Sequence, residues 1–200
     1  MNYLDDWKVT VPEGSKGVWT IDRFEVERES LERLRLQIHG RGCPPGTYTR
    51  LRRNGYVVMS DTAAEVRDHF EPKIQMQRRE AKRVLIHGLG LGMVLQQALR
   101  MDHVEHVDVV EIDPDVIELI GPHYTAMAGG RLHLHEGDAY TYKFPVGTTW
   151  DIAWHDIWDT LSQDNLELMA TLHRRYGSKV GWQGSWGKAF LKYERRRSGW

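Results

Sequence analysis

The chain has 200 residues, enough for one full core with a small addition and hardly for two large domains, so one main site is expected. Its 27 Lys and Arg stand against 28 Asp and Glu, a formal net charge of -1, which excludes a general pull toward nucleic acid and leaves only a local basic patch as a route to it. Cys43 is the single cysteine, excluding an internal disulfide framework and a cysteine zinc cluster; with the polar start "MNYLDDWKVT" and no run near the ~18 apolar residues of a membrane span, a cytoplasmic protein is expected.

Residues 1–80 read as a small β-hairpin and helix appendage. "VWTIDRFEVE" predicts a strand, and Ser30 starts a helix with Leu31, Leu34 and Ile38 on one face until "RGCPPG" breaks it. "TYTRLRR" and "YVVMS" flank Asn54-Gly55, the pair that a type I′ turn favours because both central residues need positive φ. Thr62 to Glu65 has capping-box spacing and opens a helix that carries Ala63, Val66 and Phe70 and meets Pro72.

Residues 81–200 alternate strand and helix, the pattern of a parallel sheet with crossover helices. "RVLIHG" is a short buried strand and "HVDVVEIDP" a second, with Pro114 opening a helix that Gly121-Pro122 stops. "RLHLHEGD" and "WDIAWHDIW" are the third and fourth strands. A Thr160 to Gln163 capping box starts a helix ended by Gly177, "SKVGWQGSW" is a fifth strand, and "GKAFLKYERRRSGW" is a terminal helix.

Between the first strand and its helix lies Gly88-Leu-Gly90-Leu-Gly92, a turn whose glycines bring backbone N–H groups against a ligand. No Gly-Lys-Ser/Thr follows, so it is not a P-loop, and Met93 stands where the dinucleotide fingerprint wants Gly or Ala. Glu111, nineteen residues past Gly92 at the end of the second strand, is placed to accept ribose hydroxyls, and Asp138 to accept an adenine amino group. Asp156 and Asp159 close the fourth strand at the sheet edge where open α/β folds bind ligands.

"VLIHGLGLG", "VDVVEIDPDVIEL", "LHEGDAY" and "WDIAWHDIWD" together resemble the class I S-adenosylmethionine-dependent methyltransferase superfamily, nearest to its spermidine synthase (polyamine aminopropyltransferase)-like branch. Glu111, Ile112, Asp113, Val116, Ile117 and Glu118 match one motif, Gly137 and Asp138 the next, and Asp151, Asp156 and Asp159 the last. The resemblance implies a doubly wound Rossmann-like sheet, here of about five parallel strands because 14 residues follow Trp186, with the upstream hairpin as the branch's small β-domain. It implies S-adenosylmethionine or its decarboxylated form as cofactor, held by Gly88, Gly90, Gly92, Glu111, Asp138 and Ala139. Two departures stand out. The acidic pair followed by Tyr-His-Glu that marks the branch's diamine side is absent from Asp61 to His69, and His87 stands where an acid is common.

A sulfonium carbon is already activated, so the residue demands are alignment, exclusion of water and a proton acceptor. Asp156 is the expected base or orienting group, a strand-end carboxylate flanked by Trp154 and Trp158; Asp159 is a second catalytic candidate or a helix cap; Trp158 covers a substrate or simply packs. His133 and His135 share a strand face but lack a third ligand at metal spacing, so no metal is expected. The expected reaction is methyl transfer to a small amine or hydroxyl acceptor. The alternatives are polyamine aminopropyl transfer, nucleic-acid methylation, weakened because "DIWD" lacks the prolines of amino methyltransferases, and a non-catalytic binder. A short sheet edge leaves room for a homodimer.

Overall fold

The computed structural model describes residues 4–27 and 43–197. The helix expected from Ser30 lies outside the described residues. After a 3₁₀ turn at Asp5–Trp7, four strands form an antiparallel sheet in chain order: β1 (Gly14–Lys16), β2 (Trp19–Val26), β3 (Gly46–Arg53) and β4 (Tyr56–Ser60). The hairpin β3–β4 turns at Asn54 and Gly55 with φ of 51° and 82°, the left-handed pair that the Asn-Gly dipeptide makes cheap.

Two short helices follow instead of one. α1 (Ala63–Asp68) and α2 (Phe70–Arg78) break at His69, and Pro72 falls in the first turn of α2, where its missing N–H costs nothing. Thr62 does occupy the N-cap position of α1, but its hydroxyl lies 3.0 Å from that of Ser60 and makes no capping bond.

The second sheet has five parallel strands in the order β7-β6-β5-β8-β9: β5 (Arg83–His87), β6 (His106–Glu111), β7 (Leu132–Glu136), β8 (Trp150–His155) and β9 (Val180–Ser185). Its helices are α3 (Met93–Leu99), α4 (Pro114–Ala128), α5 (Asn165–Tyr176) and α6 (Lys188–Arg197). β5 and β8 are apolar on both faces because both are covered. Val84, Ile86, Ile152 and Trp154 join α3, α4 and the antiparallel sheet in one core, while Leu85 and Ala153 pack under α5 through Leu172 and Tyr176. Among the described residues no helix is long and apolar enough to cross a membrane.

Two expected helix boundaries move. α4 runs past Gly121 and Pro122 and stops at Gly129, whose φ of 56° is the left-handed end. Pro122 and Glu118 are exposed, so water can take the carbonyl that loses its N–H, and Gly121 is a packing glycine: a Cβ there would come within 2.7 Å of Leu134. α5 starts at Asn165, later than the Thr160 capping box; the Thr160 carbonyl instead accepts a 2.6 Å bond from Asn165 Nδ2, tying down a loop rather than opening a helix.

Candidate active site

β5 connects to β6 on one side while β8 lies on its other side, so the strand order reverses between β5 and β8 and opens a crevice at their C-terminal ends. A cavity of about 620 Å³ fills it. Its floor is the ends of β5 to β8, and its roof comes from the antiparallel sheet through Trp19, Leu51, Arg53, Val58 and Met59, with His69 from the α1–α2 break.

Gly88, Gly90, Glu111, Asp138, Ala139, Asp156, Trp158 and Asp159 all line this cavity; Gly92 does not. The three glycines have φ of 88°, 48° and 74°, so each needs left-handed freedom, but they serve different neighbours. A Cβ on Gly88 would sit 2.0 Å from the Asp156 carbonyl oxygen, so this glycine lets the ends of β5 and β8 meet. At Gly90 a Cβ would press on Met59 Sδ at 2.6 Å. Gly92 corrects the sequence expectation: its Cβ would strike the Tyr124 ring at 2.1 Å, and Tyr124 in turn donates its hydroxyl proton to the Leu91 carbonyl, so Gly92 packs α3 against α4 rather than facing a ligand.

Glu111 is nearly buried and braces the turn. One carboxylate oxygen accepts the Leu89 N–H at 2.7 Å and the other the Asp113 N–H at 3.0 Å, which leaves each oxygen further lone pairs at the cavity. Burial pushes its pKa up, and the N–H groups of Leu89, Asp113 and Ile112 pull against that rise. Asp138 spends Oδ1 on the Tyr140 N–H at 2.8 Å and keeps Oδ2.

The carboxylates after β8 are paired with residues of the N-terminal part. Asp156 Oδ2 lies 2.7 Å from His69 Nε2, and His69 Nδ1 lies 2.7 Å from the Glu65 carbonyl. A carbonyl only accepts, so Nδ1 carries a proton; a carboxylate on the other side gives Nε2 one too, and the ring is an imidazolium. His69 is 1% exposed, and burial works against that charge, but the Asp156 charge and hydrogen bond with the Glu65 carbonyl outweigh it and raise the pKa to about 9. Trp154, expected to flank Asp156, instead lies in the core in a T-shaped contact with the His69 ring, centroids 6.3 Å apart. Asp159 pairs with Arg53. Asp151 sits at the opposite end of β8, where Oδ2 accepts the N–H groups of Lys82 and Arg83 and aligns β5 with β8.

Sequence reasoning missed Arg53 and His69, since no local pattern tells that a hairpin end and a helix break will face residues 156 and 159. His87 now has an explanation. It is the register partner of His155 across β5 and β8, with the two Nδ1 atoms 2.6 Å apart and both residues fully buried. Gln183 Nε2 donates to the His173 carbonyl, so its Oε1 must accept from His155 Nε2; His155 Nδ1 is then the acceptor and His87 Nδ1 the donor. Among the described residues His87 Nε2 has no partner, consistent with rings kept neutral: burial, first of all, drives the pKa of His87 well down and that of His155 to about 4. His133 stacks on His106, and His135 Nε2 lies 2.7 Å from Asp108 Oδ1.

The spermine/spermidine synthase domain profile matches residues 71–173. Polyamine aminopropyltransferase 2 of Bacillus anthracis is 31% identical over 101 residues, which are 47% of this chain and 27% of that protein. Spermidine synthase 1 of Hyoscyamus niger is 38% identical over 73 residues, 34% of this chain and 23% of that one. The chain thus spans about a quarter of the length of these relatives. Among solved structures, the N-methyltransferase NodS of Bradyrhizobium japonicum is similar at 11% identity and a TM-score of 0.45, over 58% of this chain and 62% of that one.

Proposed function

Because the chain belongs to the spermine/spermidine synthase domain family, we propose that its cavity holds an S-adenosyl sulfonium donor and that the protein is a transferase moving a methyl group to a small amine or hydroxyl acceptor. One observation carries the reading: the glycine turn, Glu111, Asp138 and Asp156, spread over 69 residues, line a single cavity at the strand-order reversal. The residues suit the donor. Glu111 offers lone pairs to the ribose hydroxyls, Asp138 Oδ2 accepts from the adenine amino group, and the Ala139 backbone borders the ring. The donor, when bound, supplies a carbon activated by its positive sulfur.

The protein's part is to orient the acceptor and receive its proton. Asp156 Oδ1, the oxygen not held by His69, takes the proton that an amine or hydroxyl loses as its lone pair bonds to the transferred carbon and the carbon–sulfur bond breaks, its electron pair staying on a neutral thioether. His69 fixes the carboxylate, since its own nitrogens are both engaged and it cannot act as the base. Apolar Leu51, Val58, Met59 and Ile157 keep water away.

The acceptor-side pairing favours methyl transfer. A diamine brings two ammonium groups, but Asp156 already carries the buried His69 as its counter-charge. Aminopropyl transfer to an amine is the second reading, favoured by the family match. Incubation with methyl-labelled S-adenosylmethionine and, separately, the labelled decarboxylated donor, over a panel of amines and phenols, divides the two. Label transfer from the first alone, lost in Asp156→Asn while donor binding persists, is the expected result. Transfer from the decarboxylated donor alone sinks the first reading, and calorimetric binding of neither donor sinks both.

A further inference from the structure

The charged groups around the cavity are unequal in number and in freedom. Among the described residues six are carboxylates, Glu65, Glu111, Asp113, Asp138, Asp156 and Asp159, and two are cations, His69 and Arg53. His69 has both ring nitrogens engaged. Arg53 differs. It ends β3 directly opposite Trp19 of β2, and its guanidinium carbon lies 5.5 Å from the Trp19 ring centroid. The Trp19 indole N–H in turn donates to Asp113 Oδ2 at 2.7 Å, and one guanidinium nitrogen holds Asp159. The planar head is therefore suspended across the cavity mouth between the β6–α4 corner and the loop after β8. Its side chain is 46% exposed, and among the described residues its other N–H groups have no hydrogen-bond partner.

A carboxylate entering so acidic a cavity finds its available cation at Arg53, since His69 has both ring nitrogens engaged. Guanidinium presents paired N–H groups that match a carboxylate edge, and stacking on an indole fixes their plane in advance. Asp159 is as exposed as Arg53, so the existing pair is a screened surface contact that a second carboxylate can share or displace at little cost.

We propose that Arg53 is the carboxylate-reading residue of the cavity, receiving either the amino-acid carboxylate of the donor or a carboxylate carried by the acceptor. The donor arm rests on the proposed function; the acceptor arm does not. Either source makes Arg53 a specificity determinant against ligands that lack the acid.

Calorimetry on wild type, Arg53→Gln and Arg53→Lys separates the cases, with thermal melting to confirm that each variant folds. The probes are S-adenosylhomocysteine, which has the carboxylate, methylthioadenosine, which lacks it, and benzoate titrated into protein saturated with methylthioadenosine. If the donor is the source, Arg53→Gln weakens S-adenosylhomocysteine at least tenfold and leaves methylthioadenosine within twofold, with Arg53→Lys between. If the acceptor is the source, both nucleosides are unchanged and benzoate binding disappears. Equal weakening of both nucleosides shows a scaffold role and overturns the proposal, as does an unchanged response to all three probes. Failure of wild type to bind either nucleoside refutes the proposed function instead; benzoate is then titrated into the free protein, and its loss in Arg53→Gln still supports the acceptor arm while its persistence overturns it.

Discussion

Replacing His69 by Gln tests the ion pair that joins the two parts of the site. In the folded chain the His69 pKa rises from 6.5 to about 9 under the influence of Asp156 and the Glu65 carbonyl, against the opposing effect of burial. A group whose pKa is raised on folding binds its proton more tightly in the native state, so its contribution is fully present below pH 6.5 and is lost as pH rises through 9. At 1.36 kcal/mol per pH unit the rise corresponds to about 3 kcal/mol, a large share of an ordinary domain's stability. Burial at 1% exposure means that solvent screening removes little of it. Urea unfolding of wild type and His69→Gln from pH 5.5 to 10 reads the effect directly. The stability of wild type should fall by about 3 kcal/mol more than that of the variant over this range, most of it between pH 6.5 and 9. Parallel curves for the two proteins would mean that His69 is neutral in the native state and that Asp156 is not its counter-ion.

Below neutrality the dependence should reverse, because burial, first of all, lowers His155 to about 4 and holds His87 well below its usual value. Their stabilisation is present above pH 6.5 and is lost as pH falls toward 4, so a His87→Leu, His155→Leu double variant should retain more of its stability at pH 5 than wild type, measured by thermal melting. Glu111→Gln keeps the side-chain size but loses the charge; adenosyl ligand affinity should drop at least tenfold by calorimetry, and an unchanged affinity would remove Glu111 from the site. Gly92→Ala places a Cβ within 2.1 Å of Tyr124 at a φ of 74° and should cost about 2 kcal/mol or more in urea unfolding, with adenosyl affinity in the folded fraction unchanged.

The sequence by itself determined the parallel sheet, its five strands and the residues that line the β5–β7 side of the cavity. These are local facts: apolar runs fix β5, β6 and β8, glycines fix the turn, and Glu111 and Asp138 follow because a strand of given length ends in one place. The Asn54-Gly55 hairpin was legible for the same reason. Only the tertiary structure decided what the acids after β8 would meet. His69 and Arg53 reach Asp156 and Asp159 across 87 and 106 residues, through packing of the antiparallel sheet over the strand-order reversal, and no periodicity encodes that docking. Gly92 shows the same limit: a glycine required by backbone geometry looks alike in sequence whether its empty side faces a ligand or an aromatic ring, and here Tyr124 of a helix 32 residues away decided it. His87 was unreadable alone because its meaning is a hydrogen bond to the neighbouring strand, and strand neighbours are set by the fold's order rather than by proximity along the chain.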